Sequence, residues 1–106
     1  MMQFDFDETA GGVQARLVGE LTIYQVKELL AELNQVIAIG KTVEVDLFEV
    51  SELDTAGVQA LLFAKRLARS HDIELRFVNH SKPVVEVIDA LNVSGHFGDP
   101  IVMSIH

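Results

Sequence analysis

The chain has 106 residues, of which 49% are hydrophobic, which is enough for one domain with its own core. Its 16 acidic and 8 basic residues give a net charge of −8, and such a chain is repelled by nucleic acid and by acidic lipid surfaces. The absence of cysteine excludes disulfides and cysteine-ligated metals. Because no signal peptide and no membrane-spanning run is evident, we expect a single cytoplasmic domain over residues 1–106, without membrane insertion.

The first elements are predicted to be two short strands and a helix. Apolar residues alternate with polar ones over Phe4–Asp7 and Val13–Leu17, and the Gly11-Gly12 turn joins the two as an antiparallel pair. An apolar stripe at helical spacing then runs over Val26–Ile37. Thr22 is predicted to cap this helix, because its hydroxyl can accept from a backbone N–H of the first turn.

The central part of the chain is predicted to be a strand, a loop and a second helix. Val43–Leu47 alternates with a period of two, whereas the apolar residues after Gly57 recur at helical spacing. The stretch Phe48–Thr55 is predicted to be the loop between them. Asp54 and Thr55 lie at its end, and both are residue types that begin helices.

The last elements continue the alternation. Ile73–Phe77 is predicted to be a fourth strand, and Ser81-Lys82-Pro83 is a capped start for a third helix. Ile101, Met103 and Ile105 predict a last edge strand. The order β-β-α-β-α-β-α implies an α/β fold with parallel neighbours and right-handed crossovers.

Few patterns in the chain favour catalysis. Gly40-Lys41-Thr42 lacks the earlier glycine of a phosphate loop and runs from helix to strand, the wrong direction. The 4 histidines do not show the spacing of a zinc site on one helix. Asp46 and Asp54 are a possible carboxylate pair for nucleotide hydrolysis, although a strand-end residue and a helix cap explain them better. The cluster Lys65-Arg66-Arg69 is either a site for an acidic partner or a solvated helix end.

A family pattern emerges between the central strand and the second helix. The sequence Asp46-Leu47-x-x-Val50-Ser51-x-Leu53-Asp54-Thr55-Ala56-Gly57-Val58 resembles the signature of the STAS family, the sulfate-transporter and anti-sigma-factor-antagonist domain. Gly19-Glu20-Leu21 matches a second landmark of the family. The resemblance covers about Gly12 to Val102. It implies the STAS fold, a mixed, mostly parallel sheet of four to five strands packed with three to four helices.

The resemblance also implies a function. STAS proteins of this type are not enzymes but anti-sigma factor antagonists, and a partner kinase of the histidine-kinase-like ATPase fold phosphorylates the residue after the motif's aspartate. Only the unmodified form binds that partner, which otherwise sequesters a sigma factor, and a phosphatase restores it. The matching residue here is Thr55. No cofactor or metal is implied, and we expect a monomer or weak dimer. The implied partner-binding residues are Thr22, Phe48, Ser51, Asp54, Thr55, Ala56 and Gly57.

This chain departs from the family pattern at three positions. Ala56 replaces a second hydroxyl residue, Thr22 replaces an aspartate, and Phe48 replaces a small polar residue. Phe48 is either an exposed partner contact or folds back onto the core. Gly57 either lets the helix approach a neighbouring backbone or leaves room for a partner. Asp-Thr-x-Gly also resembles the STAS subunit of bacterial lipid-transport ABC complexes, which is the second hypothesis for function.

Overall fold

Strands and helices account for most of the described chain. The computed structural model describes residues 2–92 and Gly95, so the strand predicted at 101–105 lies outside the described residues. None of the helices in this part of the chain is long and apolar enough to cross a bilayer. The elements in chain order are β1 (Met2–Thr9), β2 (Gly12–Leu21), α1 (Val26–Ile37), β3 (Val43–Leu53), α2 (Thr55–Ser70), β4 (Leu75–Val78) and α3 (Lys82–Leu91).

The strands form one mixed sheet in the order β1-β2-β3-β4. β1 and β2 pair antiparallel, which confirms the predicted hairpin. β2 pairs with β3 and β3 with β4 in parallel, so α1 and α2 are the crossover connections between them. The carboxyl ends of β2 and β3 therefore meet at one edge of the sheet, and the chain leaves that edge into α1 and α2.

The core lies on one face of this sheet. Val43, Val45 and Leu47 are fully buried and belong to the same apolar cluster as side chains of all three helices. The opposite face, which we call the open face, carries charged side chains in cross-strand pairs. Arg16 lies 3.6 Å from Asp5, on the edge strand β1. Exposed pairs of this kind contribute little to stability, so burial on the helical side holds the fold together.

β3 is longer than predicted, and the predicted loop Phe48–Thr55 is wrong. The strand continues to Leu53, and only Asp54 lies between it and α2. Its pairing with β2 slips twice, between Asp46 and Glu49 and again between Val50 and Glu52. Each slip places an extra residue on β3, as in a β-bulge, and the extra residue shifts the side chains that follow to the other face. The alternation of apolar and polar residues along β3 is therefore lost after Leu47, although the strand continues to Leu53.

Lys65 is buried, so the predicted basic cluster on α2 does not exist as one surface. Its Nζ donates to the carbonyl oxygen of Leu75 at 2.7 Å and lies 6.0 Å from the centre of the Phe77 ring. Arg66 and Arg69 are exposed. A lysine that crosses from α2 to β4 in this way contributes to packing and hydrogen bonding rather than to an anion-binding surface.

Candidate functional site

Asp54 forms hydrogen bonds to three segments that meet at the edge where β2 and β3 end: the last residue of β2, the turn that follows it and the first turn of α2. It is the N-cap of α2, and its Oδ1 accepts from the Gly57 N–H at 2.8 Å. Its Oδ2 accepts from the Ile23 N–H at 3.0 Å, in the turn that follows β2. Its own N–H donates to the Leu21 carbonyl oxygen at 3.4 Å. One carboxylate thus holds the start of α2 against the turn between β2 and α1, so the relative position of these two segments at this edge is fixed.

Removing this carboxylate should destabilise the domain measurably. An N-cap aspartate contributes about 1 kcal/mol, and the second bond to Ile23 raises our expectation for Asp54→Ala to roughly 2 kcal/mol. Asp54→Asn keeps one oxygen to accept from Gly57 but replaces the other with an NH2 group, which cannot accept from Ile23, so we expect a smaller loss of unfolding free energy than for Asp54→Ala. Urea denaturation of the three proteins checks this order. An unfolding free energy for Asp54→Ala within error of wild type would contradict the role of Asp54 in holding α2 against the turn.

Thr55 occupies the first position of α2 and is exposed. No hydrogen bond to another described residue uses its hydroxyl. Because the N-cap lies one residue earlier, at Asp54, the hydroxyl is not needed for capping. The side chain therefore stands at the positive end of the α2 dipole, accessible from solvent, where an anion is tolerated. An exposed hydroxyl in this position can accept a phosphoryl group without any change in the core.

Gly57 permits the close approach between α2 and β2. A Cβ at this position would lie 2.1 Å from the carbonyl oxygen of Leu21 and 2.8 Å from the Cδ1 of Leu53. The first of these is a backbone atom, so a change of rotamer cannot relieve the clash. Of the two alternatives, the structure shows the approach to a neighbouring backbone. Because Gly57 is buried, a direct contact of this residue with a partner stays a prediction.

Thr22 does not cap α1 as predicted. The helix begins at Val26, and its N-cap is Gln25, which makes no side-chain capping bond. Thr22 instead begins the preceding turn. The Oε1 of Gln25 accepts from the Thr22 N–H at 2.9 Å and from the Thr22 hydroxyl at 2.7 Å. The pair resembles a capping box that closes a turn instead of a helix. The prediction failed because an extra turn separates Thr22 from the helix.

This turn presents two large apolar side chains that the sequence pattern does not predict to be exposed. Tyr24 is 89% exposed and Ile23 is 64% exposed. The backbone of this turn lies next to the start of α2, because the Ile23 N–H is bound to Asp54, the residue before Thr55. The signal in the sequence was an apolar pair between a strand end and a helix stripe, but that pattern alone does not distinguish an exposed pair from a buried one.

Of the other predicted partner residues, Ser51 and Ala56 lie near the end of β3 and the start of α2, whereas Phe48 lies in the middle of β3, about 17 Å before Leu53. Phe48 is 37% exposed, so it neither stands fully in solvent nor folds into the core. Ser51 is exposed and Ala56 is half-buried. Phe48 and Ser51 lie within the two stretches where the register of β3 slips. Bulges often redirect side chains near functional sites, and here they place both residues on the surface.

Asp46 and Asp54 do not form a shared carboxylate site. Asp46 accepts from the Phe48 N–H at 2.7 Å and from the Asn79 Nδ2 at 3.1 Å, whereas Asp54 serves α2 and the turn. Most of the chain between them is strand, so they lie on the order of 20 Å apart, whereas paired catalytic carboxylates lie within about 10 Å. Among residues 2–92 and Gly95, no group of three or more acidic or histidine side chains is arranged to hold a metal.

Comparisons with known proteins place this geometry in a family. A family model described as "Mlab, STAS domain" matches residues 4–103. No curated protein gives a significant match. Among solved structures, an anti-sigma factor antagonist from Mycobacterium paratuberculosis has a TM-score of 0.82 at 15% identity, with 99% of this chain and 88% of that chain covered.

Two further structures show the same fold at low identity. A putative anti-sigma factor antagonist from Thermotoga maritima has a TM-score of 0.78 at 16% identity, with 96% of this chain and 87% of that one covered. The Bacillus cell fate determinant SpoIIAA in its phosphorylated form has a TM-score of 0.62 at 22% identity, with 96% and 93% covered. At these identities the likeness shows the fold, and the fold agrees with the predicted STAS architecture.

Proposed function

This chain belongs to the STAS domain family, and from that premise we propose that it is a non-enzymatic protein-binding module of the anti-sigma factor antagonist type. Its partner is an ATPase of the histidine-kinase-like fold that acts both as anti-sigma factor and as the Ser/Thr kinase for Thr55. The unmodified chain binds, the phosphorylated chain does not, and a phosphatase restores binding.

The position of Thr55 carries this proposal. Its hydroxyl is exposed at the first residue of α2, directly after the aspartate that caps the helix. A kinase can therefore approach it without unfolding the domain. One protein of the same fold, SpoIIAA, has a structure in a phosphorylated form, which supports a phosphorylated state in this architecture.

A phosphate on Thr55 would change binding more than it changes the fold. It adds about −1.5 to −2 charges at the positive end of α2, where the helix dipole favours an anion. A partner packed against this edge would then meet a dianion beside Asp54. Like-charge repulsion and desolvation of the phosphate weaken such a complex, and about 3 kcal/mol corresponds to a loss of more than a hundredfold in affinity.

Phosphate mapping tests the proposal. The wild-type chain and Thr55→Val are incubated with ATP and the purified candidate kinase, and the peptides are analysed by mass spectrometry. We expect one phosphate on the peptide that contains Thr55 and none on the variant, because valine keeps the shape of threonine without the hydroxyl. Phosphate on another residue, or none on the wild-type chain, would count against the switch.

A second candidate function is favoured by the description of the matching family model. That model is described as an Mlab STAS domain rather than as an antagonist, which fits an accessory subunit of a lipid-transport ABC complex. In that case the same edge of the domain would hold an ABC ATPase, and Thr55 would be a contact residue rather than a switch. Affinity isolation separates the two candidates: recovery of an ABC ATPase subunit in place of a kinase favours the second.

A further inference from the structure

We propose that Ile23 and Tyr24 anchor the partner of this domain, and that the partner presents an apolar pocket rimmed by lysine or arginine side chains. This proposal rests on the proposed function, since it describes the surface that the Thr55 switch would control. The phosphorylatable residue decides whether docking occurs, and the apolar pair determines which protein docks.

The exposure of these two side chains is the first observation. Tyr24 and Ile23 are the most exposed of the large hydrophobic residues in the described chain, at 89% and 64%. Single exposed apolar residues are ordinary, but two adjacent ones beside a predicted control residue form a patch. Tyrosine is also one of the residue types, with tryptophan and arginine, that most often dominate binding energies in interfaces.

The rigidity of the turn is the second observation. Backbone N–H groups of the turn are held by side chains: Ile23 donates to Asp54 at 3.0 Å, and Tyr24 donates to the Thr22 hydroxyl at 3.4 Å. The oxygen of Gln25 closes the turn onto Thr22. A turn fixed in this way presents its apolar pair at little entropic cost, which is what an anchor requires. Asp54 acts here as a positioning residue, because it holds both Thr55 and the pair.

The charge around the patch specifies the chemistry of the partner. No lysine or arginine occurs in residues 17–26 or 42–64, the two stretches that build this edge, and Lys27, three residues after Tyr24, is followed directly by Glu28. Glu52 is exposed and lies one residue before Leu53, the last residue of β3. An exposed carboxylate beside an apolar patch attracts a basic partner. The same charge disfavours a second copy of this chain and an acidic lipid surface.

Site-specific photocrosslinking followed by titration tests the proposal. The full chain carries p-benzoylphenylalanine at position 24, or at position 6 as the control. Phe6 is also partly exposed, but it pairs with Ala15 in β2 and therefore lies about 20 Å from the carboxyl end of that strand, where the patch is. We expect an adduct from position 24 and none from position 6. The adduct protein is identified, purified and titrated with each variant.

The titration decides the outcome. Tyr24→Ala should weaken binding by about 30-fold or more, whereas Tyr24→Phe and Phe6→Ala should stay within about threefold of wild type. Glu52→Lys should weaken binding at low salt and flatten its salt dependence. Wild-type affinity for Tyr24→Ala would overturn the proposal, and so would an adduct at position 24 that is a dimer of this chain or a lipid, or no adduct at all.

Failure of the anchor and failure of the switch give different results. If Thr55 is phosphorylated and blocks binding while Tyr24→Ala binds like wild type, the anchor is wrong and the switch holds. If Tyr24→Ala loses binding and Thr55 never carries phosphate, the anchor holds and the switch is wrong.

Discussion

Gly57→Ala should destabilise the domain by about 3 kcal/mol or more, the upper end of what overpacking a core costs. The added Cβ would lie 2.1 Å from the Leu21 carbonyl oxygen, so the start of α2 must move away from the end of β2. That movement would also strain the bonds from Asp54 to the helix and the turn. Thermal denaturation measures the effect. A loss of this size in unfolding free energy corresponds to a drop of at least about 12 °C in the melting temperature of a domain of this length.

Gly11→Ala is the matched control for this prediction. The nearest atom to a Cβ on Gly11 is the Oγ1 of Thr9 at 3.9 Å, which is ordinary contact. We expect the unfolding free energy of Gly11→Ala to stay within about 0.5 kcal/mol of wild type, as for most substitutions at exposed positions. If both glycine variants were equally stable, the close approach of α2 to β2 would not be what Gly57 provides. Should Gly57→Ala fail to fold, while Gly11→Ala folds normally, the account is supported in its strongest form.

Thr55→Glu should abolish partner binding and leave the melting temperature unchanged. A carboxylate at the first residue of α2 is favoured by the helix dipole, so the fold tolerates it. A partner that covers this edge would bury that charge beside Asp54 and lose about a hundredfold or more in affinity. The measurement is a titration of the isolated partner with each variant, together with thermal denaturation of the variants alone.

Thr55→Gln separates charge from size in the same experiment. Glutamine has almost the shape of glutamate but no charge, so it should retain most of the binding if charge controls docking. Equal loss for both variants would mean that the site rejects any larger side chain. Equal retention would mean that the partner does not cover Thr55. Either result would contradict the electrostatic switch.

Much of the fold followed from apolar periodicity. The hairpin, the parallel order and the three helices were predicted because each buried stripe has a period set by its own element. The length of β3 was not predictable in this way. Two register slips against β2 break its alternation between Asp46 and Glu52, so a strand was interpreted as a loop. The period of a strand is lost wherever a bulge adds a residue.

The candidate site was predicted in part. Asp54 and Thr55 were identified from capping chemistry and the family motif, because the residue types themselves carry that information. The burial of Lys65 and the exposure of Tyr24 depend on neighbouring elements that are distant in sequence. Such properties arise from packing, and a local pattern does not contain them. The role of Thr22 depends instead on a local alternative, because Gln25, three residues later, closes a turn before the helix begins.

The most direct test of the switch compares the two forms of the same chain. The unmodified protein and the protein carrying one phosphate on Thr55 are titrated into the same purified partner by calorimetry, at one salt concentration. We expect the phosphorylated form to bind at least about a hundredfold more weakly while its melting temperature stays the same. Equal affinities for the two forms would contradict a switch at Thr55.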